Sequence, residues 1–327
     1  MKKLFIHVGY PKTATTSLQN YLFDGHDEIG YLNKDLKSTS IIKQILYSRE
    51  NAIERNKAQI YFELKKVVDN YQNYETMVFS NESLLSMSMF FRTEPKPMVF
   101  IEDVNSIARK LHKVFCESGL FEEVKIIIAI RRQEDLIKSI YAQVYNRYFK
   151  KFKQTSSFKN FISYSLLHKE NFVLDALHFE NVIFQYEQIF GCRNIGVFVF
   201  EDLKLNQRAF ITNLSRFLNI DKEISIKLLK GRKVNKKSGK HFYKTDTIKL
   251  TSNLHKFKKF LFGNLKTGFT NSKVYKFLNK FEFKGQEITN VNLSKEEKIK
   301  FKEIYSKGNR ILSERRKLNL DKHNYSC

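Results

Sequence analysis

The chain has 327 residues, enough for one large domain or two small ones, and its 42% hydrophobic content can fill a substantial core. A formal charge of +24 argues for an anionic partner: a nucleotide cofactor, an acidic glycan, nucleic acid or an anionic membrane. Cys116, Cys192 and Cys327 lie too far apart for a disulfide framework or a metal cluster, and they read as reduced thiols in a reducing compartment. No apolar run reaches about 18 residues, so no membrane-spanning helix is expected. The charged start at Lys2 and Lys3 is followed by too short an apolar run before Pro11 to read as a signal peptide.

In chain order, Phe5 to Val8 read as a short buried strand, Gly9 as a turn, and Leu18, Tyr21 and Leu22 as a helix. Residues 24–50 read as polar and irregular. Glu54 to Tyr71 read as one helix, with Ile60, Leu64, Val67 and Val68 on one stripe. Thr76 to Ser80 form a second strand, followed by Asn81, Glu82 and Ser83. Residues 86–100, with Pro95 and Pro97, read as an excursion on the active-site side. Val104 to Phe115 carry one helical face. Val124 to Ile130 are nearly continuously apolar, as in a strand buried on both faces of a parallel sheet. Arg131 and Arg132 end that strand, and a helix follows through Leu136, Ile140 and Val144. Residues 155–190 read as mainly helical and aromatic. Ile195 to Phe200 form a fourth strand ending in Glu201 and Asp202, and Phe210 to Leu218 form a helix. Strands alternating with helices imply an α/β domain with a mainly parallel sheet.

Later the pattern changes. Lys227, Lys230, Arg232, Lys233, Lys236, Lys237 and Lys240 occur without an acidic residue, and Gly231 and Gly239 mark a loop. Residues 253–284 hold eight lysines and seven phenylalanines with one acid, Glu282. A basic, aromatic cap or insertion at 241–290 is expected within a single domain of residues 1–327. Ser294 and Glu297 have capping-box spacing for a C-terminal helix.

Ligands of doubly wound sheets bind beyond the carboxyl ends of the strands. Those ends carry the Lys12 loop, Glu82, Arg131 and the Glu201–Asp202 pair, so one site is expected. A strand, a tight loop and a helix start form an anion cradle, because the first helical N–H groups lack partners and the dipole is positive there. Lys12 adds a full charge, and Thr13, Thr15, Thr16 and Ser17 add hydroxyls. The loop nearly fits G-x-x-x-x-G-K-[ST], with Ala14 in the second glycine position, Thr15 in the lysine position and Thr16 as the final hydroxyl.

The run Pro11-Lys12-Thr13-Ala14-Thr15-Thr16-Ser17 resembles the 5′-phosphosulfate loop of PAPS-dependent sulfotransferases (PAPS is 3′-phosphoadenosine 5′-phosphosulfate). Arg131 and Ser139 have the spacing with which that family holds the cofactor's 3′-phosphate. Lys230, Gly231, Arg232, Lys233 and Lys236 stand where the family places a basic loop over the 3′-phosphate and adenine. The Arg132–Gln133 and Val234-Asn235-Lys236 variants are similar to bacterial members. Glu82 follows the second strand, where several carbohydrate sulfotransferases carry a carboxylate base.

The resemblance implies a P-loop-like three-layer fold and sulfuryl transfer from PAPS to a hydroxyl or amine, releasing PAP and needing no metal. The acceptor expected is a glycan or glycolipid. The expected location is cytoplasmic, with peripheral contact at the inner face of an anionic membrane as a further option, and no nucleic-acid partner is expected. Two rivals stand beside this reading. A nucleotide-dependent kinase needs a lysine after the second glycine position, where this chain has Thr15. A nucleic-acid or membrane-binding protein would draw on the charge at 253–284.

Overall fold

A computed structural model of the chain describes residues 2–85, 106–144, 157–167, 174–231 and 291–327, and the backbone of four two-residue strands between 243 and 288. The central sheet has five parallel strands in the order β2-β3-β1-β4-β5: β1 Lys3–Gly9, β2 Ile29–Tyr31, β3 Thr76–Ser80, β4 Glu123–Ile130 and β5 Ile195–Val199. Helices flank it, as the alternation of strands and helices requires. The apolar runs explain the middle strands. Ile126, Ile127, Ile128, Ala129 and Ile130 of β4 are essentially inaccessible, and each large side chain so buried contributes about 1.5–3 kcal/mol.

The helix α1 begins at Thr15–Ser17 and runs on as the π-helical turns Leu18–Phe23. Its apolar side joins Phe5, Val78, Phe198, Phe200, Phe210 and Leu229 in one buried cluster, which seats the helix against the sheet. Residues 24–50 are more regular than their sequence suggests. They hold β2 and the short helices α2 (Asn33–Ser38) and α3 (Ile41–Tyr47), which bury Leu36, Ile41, Ile45 and Leu46. The helix read over Glu54 to Tyr71 is two, α4 (Glu50–Arg55) and α5 (Lys57–Asp69), divided at Asn56. Farther on come α6 (Ser106–Leu111), α7 (Gln133–Val144), α8 (Phe158–Leu167) and α9 (Phe179–Phe190). After β5 come α10 (Phe200–Leu205), α11 (Gln207–Leu218) and α12 (Lys222–Leu229), so Lys227 belongs to a helix and the basic loop starts at Lys230. The last long helix, α13 (Lys295–Arg316), has the capping box its sequence signals: Glu297 N–H donates to Ser294 Oγ at 3.1 Å, and Ser294 N–H to Glu297 Oε2 at 2.7 Å. Among the described residues no helix is long and apolar enough to cross a membrane.

The chain divides into two units. One comprises residues 1–140, 165–236 and 294–327 and contains the five-stranded sheet; the other comprises 141–164 and 237–293. In the second unit Tyr141 packs on Phe158 and Phe161, both with ring centroids 5.2 Å away, and two antiparallel ladders pair Tyr243–Lys244 with Glu287–Ile288 and Ile248–Lys249 with Glu282–Phe283. The 86–100 excursion and the side chains of 253–284 lie outside the described residues.

A polar knot lies under the carboxyl ends of β1 and β3. Beyond the last paired residue of β2, the Asn33 side chain replaces a strand: its Nδ2 donates to the Ser80 carbonyl and its Oδ1 accepts the Ser80 N–H, both at 2.7 Å. His7 Nδ1 lies 2.8 Å from Ser80 Oγ, and Gln19 Nε2 donates to the same oxygen at 3.0 Å. His7 is fully buried, as its place inside the first strand suggests, and burial pushes its pKa down to about 4. The fold therefore holds neutral imidazole, whereas the unfolded chain takes up a proton near the usual 6.5. Stability contributed by neutral His7 is complete above that value and is lost as pH falls through it towards 4, by about 3 kcal/mol in all. Urea denaturation across this range should show that loss in the wild type and a smaller one in His7→Gln. Should the variant not fold, the imidazole titration followed by NMR in the wild type gives the same answer; a midpoint near 6.5 would refute it.

Candidate functional site

The loop joining β1 to α1 is shaped by backbone handedness. Gly9 has φ +115°, and a Cβ there would meet the Glu82 carbonyl oxygen at 3.5 Å and the Glu82 Cα at 3.6 Å. Lys12 and Ala14 both have φ 65°, with Thr13 between them on the ordinary side. Alternating handedness turns successive N–H groups towards one side, forming an anion-binding concavity. Among the described residues the backbone N–H groups of Thr13, Ala14, Thr15 and Thr16 have no acceptor. The left-handed φ at Ala14 also explains why the related pattern places glycine there.

Inward-facing groups brace the loop. Thr13 Oγ1 donates to the Tyr10 carbonyl at 2.6 Å and Thr15 Oγ1 to the same oxygen at 3.4 Å, while Tyr10 N–H donates to the Ala129 carbonyl at 2.8 Å. Two of the four hydroxyls expected from sequence to face a ligand thus hold the loop instead. Lys12 and Thr16 are exposed, and Pro11 and Ser17 are buried.

The end of β4 meets this loop. Arg131 Nη1 donates to the Lys12 carbonyl at 3.2 Å, joining two motifs 119 residues apart. Its guanidinium carbon lies 5.0 Å from the centroid of the Phe200 ring at the start of α10. The ion pair with Asp135, at 2.7 Å, is made by Arg132. Ser139 stands half-buried on α7. Lys230 ends α12 and Gly231 follows with φ +69°; the Lys230 ammonium has no ion pair among the described residues. Arg232, Lys233 and Lys236 lie outside the described residues.

Glu82 enters from β3. Asn81 N–H donates to the His7 carbonyl at 2.9 Å, prolonging the pairing of β3 with β1, and Asn81 Oδ1 accepts Ser83 N–H at 3.0 Å in a tight turn. This turn sets the Glu82 backbone against Gly9. Burial raises the Glu82 pKa, and the charges of Lys12 and Lys37 oppose the rise. A carboxylate with raised proton affinity beside a lysine and a row of open amides can accept a proton from a nucleophile next to a bound anion.

Sequence reasoning missed the residues that hold the far side of this region. Glu201 Oε1 accepts Arg132 N–H at 3.2 Å, and Glu201 Oε2 accepts the Tyr325 hydroxyl at 3.0 Å. His323 Nε2 lies 2.7 Å from Asp202 Oδ1. The Glu201–Asp202 strand end was visible in the sequence, but no local pattern points to partners more than a hundred residues away. Two cavities among the described residues lie away from the loop: one of about 740 Å³ near Asp27, Glu75 and Arg216, and one of about 570 Å³ beside β5 and Lys317.

A family model described as a sulfotransferase domain matches residues 2–295. The chain belongs to the sulfotransferase family. The enzyme is thus a PAPS-dependent sulfotransferase. The solved structures it is similar to include three sulfotransferases. A sulfotransferase from Alicyclobacillus acidocaldarius is 14% identical with a TM-score of 0.44, over 68% of this chain and 83% of that one. The sulfotransferase domain from the curacin biosynthetic pathway is 14% identical with a TM-score of 0.42, over 96% of each chain. A mouse sulfotransferase complexed with PAP is 14% identical with a TM-score of 0.36, over 71% of this chain and 64% of that one. No curated protein matches.

In this sulfotransferase the raised affinity of Glu82 for a proton has a stability sign. The folded state binds that proton more tightly than the unfolded state, so the contribution of Glu82 to stability falls as pH rises from the ordinary carboxylate range through the raised pKa. Glu82→Gln should therefore melt no lower than wild type at neutral pH while losing turnover. The acid limb of the wild-type rate profile, centred above the usual value of about 4.3, should vanish with it. Normal turnover in the variant would assign the proton to another group.

Proposed function

We propose that this enzyme binds PAPS with its phosphosulfate on the loop amides and Lys12, and transfers the sulfuryl group to a hydroxyl or amine of a glycan or glycolipid. The observation that carries this reading is the row of four N–H groups without acceptors among the described residues, in the Lys12 loop that Arg131 bonds and Glu82 adjoins. Amides fixed before the ligand arrives need no reorganisation as charge develops, which is the main source of electrostatic catalysis. Lys12 stabilises charge on the departing bridging oxygen. Glu82 takes the acceptor proton, and Arg131 with Ser139 holds the 3′-phosphate. The basic residues Lys230, Gly231, Arg232, Lys233 and Lys236 complete the nucleotide site in this reading.

Acceptor recognition is assigned to residues 241–290 on their lysine- and phenylalanine-rich composition. The same composition supports contact with an anionic membrane surface, and the dispersed cysteines support a cytoplasmic location. A glycan acceptor is favoured by the similarity of Glu82 to the carboxylate of carbohydrate sulfotransferases.

Melting in the presence of PAP, ATP with Mg²⁺, or an oligonucleotide separates this reading from a kinase and from a nucleic-acid binder: PAP alone should stabilise the protein selectively. Arg131→Ala and Ser139→Ala should weaken PAP more than adenosine 5′-phosphosulfate, which lacks the 3′-phosphate, by a difference of roughly tenfold or more for the arginine. Equal weakening would place both residues elsewhere. Lys12→Ala should leave the fold intact, because the side chain is exposed, and lower kcat at saturating PAPS by roughly a hundredfold. A variant retaining more than about a tenth of wild-type kcat would exclude Lys12 from stabilising the leaving group.

A further inference from the structure

Ile130 is the last residue of β4 in register with β5, so the ladder does not reach the backbone that carries Arg131. Two neighbouring residues of the segment after α13 reach that turn by separate routes. The Tyr325 hydroxyl donates to Glu201 Oε2 at 3.0 Å, and Glu201 Oε1 accepts the Arg132 N–H at 3.2 Å. The Ser326 carbonyl accepts from Asn309 Nδ2 at 2.8 Å, and Asn309 Oδ1 accepts from Gln133 Nε2 at 2.7 Å. The two routes end on the two residues that directly follow Arg131.

The parts of both routes are buried. Tyr325, Asn309 and Gln133 are all shut off from solvent. Buried polar groups are costly unless bonded, so each bond in such a chain restricts the next. Burial, then the charge of Glu201, raise the Tyr325 phenol well above its ordinary range, so its hydroxyl keeps the proton it donates. The segment is itself seated. Leu320 is fully buried, Tyr325 N–H donates to the Leu320 carbonyl at 3.2 Å, and His323 Nε2 lies 2.7 Å from Asp202 Oδ1. Among the described residues Glu201 Oε2 accepts no bond other than that of Tyr325. The Arg131 guanidinium stands at the end of a long side chain and reaches the Lys12 carbonyl. Its aim is only as good as the backbone beneath it, and small displacements at a binding site cost much.

We propose that Tyr325 is a positioning residue for sulfuryl transfer: through Glu201 it fixes the turn at Arg132, and with it the aim of Arg131 at the nucleotide and at the Lys12 loop. Asn309 steadies the same turn one residue further on, through Gln133. Tyr325 acts through Arg131 and needs no contact with a ligand. The inference rests on the proposed binding role of Arg131.

Calorimetry with PAP on wild type, Tyr325→Phe, Arg131→Ala and the double variant tests it, with the melting temperature of each recorded. Tyr325→Phe should weaken PAP roughly fivefold in the wild-type background and have no effect in Arg131→Ala, because the hydroxyl acts only through the arginine. The phenylalanine ring keeps its buried place and one hydrogen bond is lost, so the variant should fold. Should it not, Gln133→Met breaks the second route and carries the same cycle. A merely structural tyrosine would lower the melting temperature and either leave PAP affinity alone or cost the same in both backgrounds. Either result would overturn the positioning role while that of Arg131 stands. If Arg131→Ala binds PAP as wild type does, the role of Arg131 fails, and that of Tyr325 fails with it.

Discussion

Everything at the reactive end of this protein depends on a backbone held away from its easiest conformation. Lys12 and Ala14 both occupy the left-handed region, which costs a non-glycine residue on the order of 1–2 kcal/mol. Among the described residues the loop also leaves four N–H groups without protein acceptors. Neither feature would persist without restraint. Restraint comes from both sides of the sheet: Tyr10 is tied to Ala129 of β4, Gly9 abuts Glu82 after β3, and Arg131 grips the Lys12 carbonyl. The neighbouring strands thus supply the loop conformation as much as its own sequence does.

Strand order explains why those neighbours are available. With β1 in the centre, the chain goes first to β2 at one edge and returns to β3 beside β1, then crosses to β4 and β5 on the other side. The loops after β1 and β4 therefore leave in opposite directions, opening a crevice at the carboxyl edge where an anion can enter. All four strand pairs are parallel, so every strand-end residue arrives at the same edge. A positively charged chain can concentrate function there because the acids that follow β4 and β5 are used internally: Glu201 and Asp202 bind Tyr325 and His323, and Asp135 binds Arg132.

How much of this could be read from sequence follows from the range of each interaction. β4 was legible because five successive apolar residues need burial on both faces, and α13 because its capping box is complete within four residues. The Lys12 loop was legible because its turn chemistry is local. β2 was not: three residues, Ile29 to Tyr31, are too few to show a period, and their pairing is extended by the Asn33 side chain, whose partner Ser80 lies far along the chain. The split between α4 and α5 was hidden because the apolar stripe continues across Asn56. Tyr325 was invisible for the same reason as Asn33, since its partner Glu201 is one that only the fold brings near.

The position of Lys12 beside Glu82 links the two halves of the proposed reaction. Burial favours the protonated acid, and Lys12 and Lys37 act against it. In the free enzyme those charges help keep the carboxylate ionised. A bound phosphosulfate places negative charge against Lys12, so part of the field that acted on Glu82 is neutralised. The proton affinity of the carboxylate then rises further, because a like charge nearby disfavours its ionised form. In the proposed reaction the carboxylate would therefore be the stronger base once the donor is bound, when an acceptor proton has to be taken up. Lys37 sets the limit on this coupling, since its charge still acts on Glu82 when that of Lys12 is matched.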